Sequence, residues 1–226
     1  MNLPRKDKKG NGYLSYSQIS TFKRSKDDYY KQYIEGVPFE GNDYTDFGSK
    51  VGESLELNSF KSFDTMEAKI LKSVKRLDLF ERSTILNYNG FYVVGYIDTI
   101  SDDYSQIIDY KTGGRGKDAQ YVKDDYTQLQ IYALSIRQET GITPQKASVE
   151  FITREGNAFK GESLRVAYEP VKSIDIDISY ERLKTVYWGV LRTAKEISDF
   201  YEKYKLAYDV ISKRTGRTEN GTFIKD

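Results

Sequence analysis

Neither cysteine nor histidine occurs anywhere in the chain. The first absence excludes disulfides, thiolate zinc sites and cysteine-ligated iron–sulfur clusters. The second removes the side chain that most often serves as a general base near neutral pH. Catalysis must therefore rest on carboxylates, Lys, Tyr, Ser or Thr, with an oxygen-seeking cation such as Mg²⁺ or Mn²⁺ as the favoured metal. Long apolar runs are missing too, and no stretch approaches the ~20 residues that a bilayer-spanning helix needs. The basic opening segment, residues 1–12, lacks the apolar stretch of a secretory signal, so a cytoplasmic protein is expected. Excess charge of one sign is also lacking. The 35 Lys and Arg against 34 Asp and Glu leave +1, so composition carries no nucleic-acid signal, although a local groove can still be basic.

What is present fits one α/β core. The 226 residues are 38% hydrophobic and 31% charged, the balance of a folded domain rather than a disordered chain. No repeat, low-complexity tract or linker marks a boundary, so a single domain over 1–226 is expected, with loose tails at 1–12 and about 209–226. The 20 Tyr are too general a feature to argue from.

Helical signals come first. Ser15-Tyr16-Ser17-Gln18 reads as a capping box ahead of Ile19, Phe22, Tyr29, Tyr30 and Tyr33, with Gly36 as the stop. A second helix is expected over 47–60, and Asp64-Thr65-Met66-Glu67 caps a third that runs through Leu77. The period then changes. Segments 83–88 and 91–100 flank Asn89-Gly90, a strong hairpin signal, and a third antiparallel strand covers 106–111. Thr112 to Gly116 reads as a loop, 124–138 as a helix, 147–153 and 164–168 as strands, and 180–204 as a long helix. The order predicts an α/β fold with a mixed central sheet flanked by helices.

The chemistry concentrates at two strand ends. Asp98 closes Gly95-Tyr96-Ile97-Asp98, and Asp109-Tyr110-Lys111 closes the next strand. Strand alternation puts Asp109 and Lys111 on one face, and hairpin pairing can bring Asp98 beside them. Converging carboxylates repel, and a divalent cation relieves that repulsion. A lysine beside such a cation can position or deprotonate an attacking water and neutralise charge on a pentavalent phosphate. Taken alone, D-x-K is a common exposed ion pair. Here the buried pair Ile107-Ile108 precedes it and Thr112-Gly113-Gly114 opens space beyond it.

Five ordered segments make the pattern specific: Leu14–Ile19, Phe47-Gly48-Ser49-Lys50-Val51, Gly95-x-x-Asp98, Ile107–Gly113 and Gln128-x-x-x-Tyr132. Together they resemble the RecB-type exonuclease branch of the PD-(D/E)xK nuclease superfamily, over roughly residues 14–134, a branch that includes phage recombination exonucleases and CRISPR-associated adaptation nucleases. The resemblance implies a restriction-endonuclease-like core and a Mg²⁺- or Mn²⁺-dependent deoxyribonuclease, expected to be an exonuclease of recombination, repair or phage DNA metabolism in a bacterial or phage-infected cell. It implies Asp98, Asp109 and the Tyr110 carbonyl as metal ligands, Lys111 as the catalytic lysine, and Gln128 and Tyr132 as its supports. Glu81 matches an acidic residue that often precedes Gly-x-x-Asp, and the resemblance makes it a candidate ligand of a second metal or of its water. Thr112, Arg115 and Lys117 are the candidate DNA contacts. DNA is the implied substrate, and a recombination or single-strand-annealing protein the implied partner.

Two positions depart from the pattern. The family's metal-binding His is Gly52 here, followed by Glu53, which lies ~100° around the helix and is the candidate replacement. Ser25 stands where iron–sulfur members carry their first cluster ligand, so no cluster is expected. Gly52 also keeps open a second reading, a non-catalytic DNA-binding or assembly subunit with the same fold. A site-specific restriction-type endonuclease is the third.

Overall fold

The computed structural model describes residues 1–215. In chain order the elements are β1 (Tyr13–Ser15), α1 (Tyr16–Arg24), α2 (Lys26–Tyr29), a π turn (Tyr30–Ile34), α3 (Asp43–Glu56) and α4 (Thr65–Lys72). There follow β2 (Leu79–Tyr88), β3 (Phe91–Ile100), β4 (Gln106–Gly113), a 3₁₀ turn (Lys117–Val122) and α5 (Gln128–Thr140). The rest are β5 (Lys146–Glu155), a 3₁₀ turn (Ala158–Lys160), β6 (Arg165–Val166), β7 (Lys172–Asp175) and α6 (Tyr180–Thr215). The chain forms two compact units: residues 39–87 with 94–187, and residues 1–38 and 88–93 with the described part of 188–226.

The unit that includes the N-terminus is built on α1. Ser15 caps it by accepting the Gln18 N–H at 3.3 Å. The helix then breaks at Ser25, whose extended backbone (φ −154°) ends α1 while its hydroxyl caps α2 at Asp28. One helix expected to run to Tyr33 is therefore three short pieces, because Ser25 offers the backbone a capping alternative to continued helix. Phe22 packs edge-on against Tyr29 and against Phe200. The segment 1–12, expected to be loose, is tied down: Leu3 is fully buried and Lys6 bridges to Gly12. At the other end, 209–215 continue α6, and 216–226, the rest of the expected tail, lie outside the described residues.

The second unit carries the mixed sheet. β2 pairs with β3; the turn that joins them falls in residues 88–93 of the first unit, and there Gly90 takes the left-handed φ of +91° that such a turn requires. β4 lies antiparallel to β3 and parallel to β5 through eight pairs from Gln106↔Lys146 to Gly113↔Thr153. β6 and β7 both pair antiparallel with β5. Residues 147–153 of β5 are buried without a break, which requires cover on both faces of the sheet. Phe47, Val51 and Leu55 of α3 and Leu71 of α4 supply one apolar cluster, around Ile152 and Val166. On α5, Leu129, Ile131, Ala133 and Ile136 are buried.

Polar side chains fix these helices to strand edges. Gln138 imitates a neighbouring strand at Asn87, accepting its N–H at 2.6 Å and donating to its carbonyl at 3.1 Å. Glu139 accepts from the Thr84 hydroxyl and the Ile85 N–H. Glu67 completes the α4 capping box at Asp64 and accepts the Val166 N–H at 2.8 Å in a buried setting. Glu67→Ala strands that N–H in the core and removes half of the cap. A stability loss of about 2 kcal/mol is expected, readable as a lower urea midpoint at unchanged slope.

Several boundaries differ from expectation. α3 begins at Asp43 because Asn42 and Thr45 form a capping box. α4 stops at Lys72, and α5 starts at Gln128 after a 3₁₀ turn. β2 starts at Leu79 and so takes in Glu81, and β7 was not anticipated.

Candidate active site

The backbone ladder between β3 and β4 is registered at Ile100↔Ile107 and Thr99↔Ile108. Asp98 and Asp109 are the next residues along each strand. Beyond that point the Tyr110 N–H is taken by the Asp98 carboxylate, at 2.6 Å, in place of a ladder carbonyl. The Asp98 side chain thus satisfies the backbone where the strands part.

Asp109 is wholly buried. Lys111, two residues on and on the same face as the alternation predicts, places Nζ 2.7 Å from its Oδ2 and 3.0 Å from its Oδ1. The Tyr126 hydroxyl donates to Oδ2 at 3.1 Å. Burial, then repulsion from Asp109, pushes the Asp98 carboxyl above the ordinary carboxylate range, with Lys111 pulling the other way. Burial works against the charge of Lys111, but Asp109 and Asp98 together outweigh it and hold the ammonium above its usual range. The direction of the shift agrees with the geometry, in which the Lys111 ammonium is held on Asp109.

Gln128 begins α5 and donates to the Tyr132 hydroxyl at 2.9 Å, so the expected same-face pair is made. Burial pushes the Tyr132 phenol up to about 12, and Gln128 partly offsets this. The ring lies against the backbone of Gly95, where a Cβ would collide with it. Glycine at that position is what lets Tyr132 approach β3 beside Asp98.

A cleft of about 380 Å³ opens beside these groups, lined by Asp98, Tyr110, Lys111 and Thr112 from β3 and β4 and by Gly48, Gly52 and Glu56 from α3. Glu81 lines it too, from β2 with a left-handed φ of +46°. Burial raises the Glu81 carboxyl, and Glu56 adds to the shift. Glu53, the candidate for the missing ligand, is exposed and is not among the residues lining the cleft. Gly48, Gly52 and Glu56 follow each other at intervals of four, so Glu56 shares the face that Gly52 presents. That spacing was visible in the sequence and would have pointed to Glu56. Tyr126 was also missed, since nothing local in its sequence marks it as a partner of Asp109.

The three candidate DNA contacts separate. Thr112 faces the cleft. Arg115 is engaged by Glu155 and Glu169, and Lys117 is exposed at the start of a 3₁₀ turn.

Donor chemistry decides which metal the site could take. Every candidate ligand is an oxygen, from Asp98, Asp109, the Tyr110 carbonyl, Glu81 and Glu56, which suits a hard divalent cation and not a thiophilic one. Among the described residues no three acidic side chains stand close enough to form a preassembled metal cluster. The donors have the chemistry of a carboxylate and carbonyl site, and in this structure Lys111 Nζ is held on Asp109.

The chain belongs to the PD-(D/E)XK nuclease superfamily, whose family model matches residues 60–200. That match includes Asp98, Asp109, Lys111, Gln128 and Tyr132, while the Leu14–Ile19 and Phe47–Val51 segments fall outside it. Among solved structures, the chain is similar to a proposed exonuclease from Eubacterium rectale at 16% identity and a TM-score of 0.56, covering 84% of this chain and 82% of that one. It is also similar to a phage-related exonuclease from Haemophilus somnus at 14% identity and a TM-score of 0.42, covering 84% and 82%. No curated protein matches the chain closely enough to count as a relative. No described helix is long and apolar enough to cross a membrane.

Proposed function

We propose that this chain is a Mg²⁺- or Mn²⁺-dependent deoxyribonuclease of the RecB-type branch, acting as an exonuclease in DNA recombination, repair or phage DNA metabolism. The observation that carries this reading is the convergence of Asp98, Asp109 and Lys111 where β3 and β4 part, beside an open cleft. The family match runs through both compact units, which supports treating the whole chain as one nuclease domain.

Asp98, Asp109 and the Tyr110 carbonyl would hold the cation, with Glu81 and Glu56 facing the same cleft. When bound, such a cation polarises the phosphate and acidifies a water. The chain's own contribution begins with Lys111. Its charge, fixed by Asp109, stands where the extra negative charge of a pentavalent phosphate develops, and this stabilisation is specific to the transition state. Asp109 orients the ammonium, and Tyr126 orients Asp109. Gln128 and Tyr132 are positioning residues, bracing β3 at Gly95 and so the placement of Asp98. Thr112 offers a hydroxyl to a substrate phosphate.

Linear and covalently closed circular DNA separate the exonuclease from an endonuclease. Linear single- or double-stranded DNA is expected to shorten from its ends while the circle stays intact; nicking of the circle would point to the restriction-type reading instead.

Gly52 favours the one other reading, a DNA-binding or assembly subunit that no longer cuts. A Cβ at Gly52 meets nothing within 4 Å, so a larger side chain can be accommodated there. Gly52→His is expected to tighten Mn²⁺ binding about 10-fold, measured by calorimetric titration. A dead scaffold would show no Mn²⁺ binding that depends on Asp98 and Asp109, with or without the histidine.

A further inference from the structure

We infer that Phe159 is a stacking platform for an unpaired base of the DNA strand that enters the cleft, an inference that rests on the nuclease reading above. Phe159 is 89% exposed, the highest value among the described large apolar side chains. It does not sit on a slack loop. The 3₁₀ turn between β5 and β6 is closed by Asn157, whose side chain accepts the Phe159 N–H at 3.1 Å and whose carbonyl accepts from Lys160 and Glu162. Gly156 and Gly161 supply the left-handed φ values of +93° and +73° at its two ends.

Tyr44 joins this turn to the site. Its hydroxyl donates to Asn157 Oδ1 at 3.2 Å and accepts the Ala158 N–H at 3.1 Å. Its ring lies 5.5 Å from that of Phe159, tilted by 51°. The Arg154 guanidinium stands 4.1 Å over the Tyr44 ring, and no carboxylate pairs with it among the described residues. Tyr44 also lines the cleft with Asp98 and Lys111. Tyr44 therefore links the cleft wall to the exposed Phe159 ring, with the Arg154 guanidinium stacked on its face.

Holding an apolar ring in water on a fixed turn makes physical sense when an apolar face will cover it. The neighbouring charges say which kind. Arg154 and Lys160 favour an anionic chain, Glu162 on the same turn and Asp43 and Asp46 beside Tyr44 oppose it, and Glu155 is already engaged by Arg115 and Arg165. A planar π face on an anionic backbone is a nucleotide, and aromatic stacking with an adjacent arginine is the usual way to hold unpaired bases without reading sequence.

The test uses the full chain with a single-stranded oligonucleotide carrying 2-aminopurine, in EDTA so that it is not degraded, alongside a digestion assay on the same preparations. Wild type and Phe159→Trp should bind and quench the 2-aminopurine. Phe159→Ala and Phe159→Leu should bind about 10-fold more weakly, the loss expected for one stacked base, and lose the quenching. All four should stay folded, since the side chain is exposed. Phe159→Leu behaving as wild type overturns stacking, whether or not Phe159→Ala is impaired, because leucine keeps apolar bulk without a π face. A wild type that cuts DNA but neither binds it with quenching nor responds to these substitutions also overturns the stacking role and leaves the nuclease reading standing. A wild type that neither binds nor cuts DNA removes both.

Discussion

Lys111→Met is expected to reduce DNA cleavage by about 10²–10³-fold, the usual consequence of deleting one preorganised group that stabilises developing charge. It is also expected to destabilise the fold by about 3 kcal/mol at neutral pH, the low end of what breaking a buried ion pair costs. The low end applies because the Lys111 side chain keeps 28% exposure and Tyr126 continues to donate to Asp109. Methionine keeps most of the apolar stem and removes only the charge. What remains is Asp109, with no exposure to water, repelling Asp98 without the ammonium that offset its charge. Mn²⁺ should then raise the thermal midpoint of Lys111→Met more than that of wild type, because the metal no longer competes with the ammonium for Asp109. Melting curves with and without Mn²⁺, read beside the cleavage rates, check both halves. Equal Mn²⁺ responses in the two proteins would show that Lys111 and the metal do not share the same carboxylates.

Gly95→Ala carries the second large effect, for a steric reason. An alanine Cβ at that position overlaps the Tyr132 ring, which is itself packed in the core. Either β3 shifts, taking Asp98 with it, or Tyr132 moves and breaks its bond to Gln128. Overpacking of this kind costs about 1–3 kcal/mol, and a displacement of about 1 Å at the reacting groups costs about 10²-fold in rate. The double variant Gly95→Ala/Tyr132→Ala distinguishes the mechanism. If the clash is the cause, removing the ring relieves part of the Gly95→Ala destabilisation, and the two substitutions are strongly non-additive in chemical denaturation. Additive losses would mean that glycine at 95 is needed for its backbone and not for the close approach.

These two sites also mark what could be read from the sequence. Asp98, Asp109 and Lys111 were legible because their relation is local: strand alternation joins Asp109 to Lys111, and one hairpin step brings Asp98 alongside. Gln128 and Tyr132 were legible for the same reason on a helix. The mixed α/β sheet followed from the order of periodic segments. Glu56 is not marked by adjacency to Gly52, because helical geometry puts the residue four positions on, and not the next one, on the face of Gly52. Tyr126 escaped because its bond to Asp109 depends on how the chain between β4 and α5 folds back, which no local pattern encodes. The same holds for Arg115, where Glu155 and Glu169 lie 40 and 54 residues away and meet it only in the folded sheet. Ser25 read as a gap in a cluster motif, yet its physical work is to end α1 and cap α2.

The most direct test of a metal-dependent nuclease centred on Asp98, Asp109 and Lys111 is a digestion time course on end-labelled DNA. Wild type and Asp109→Asn are compared with Mg²⁺, with Mn²⁺ and with EDTA. Asparagine keeps the size of the side chain and its bond from Tyr126 while removing the charge that holds Lys111. The account predicts cleavage by wild type only when a divalent cation is present, and a loss of about 10³-fold in Asp109→Asn. Wild-type protein that degrades neither single- nor double-stranded DNA with either metal, or Asp109→Asn that cuts as fast as wild type, would contradict it.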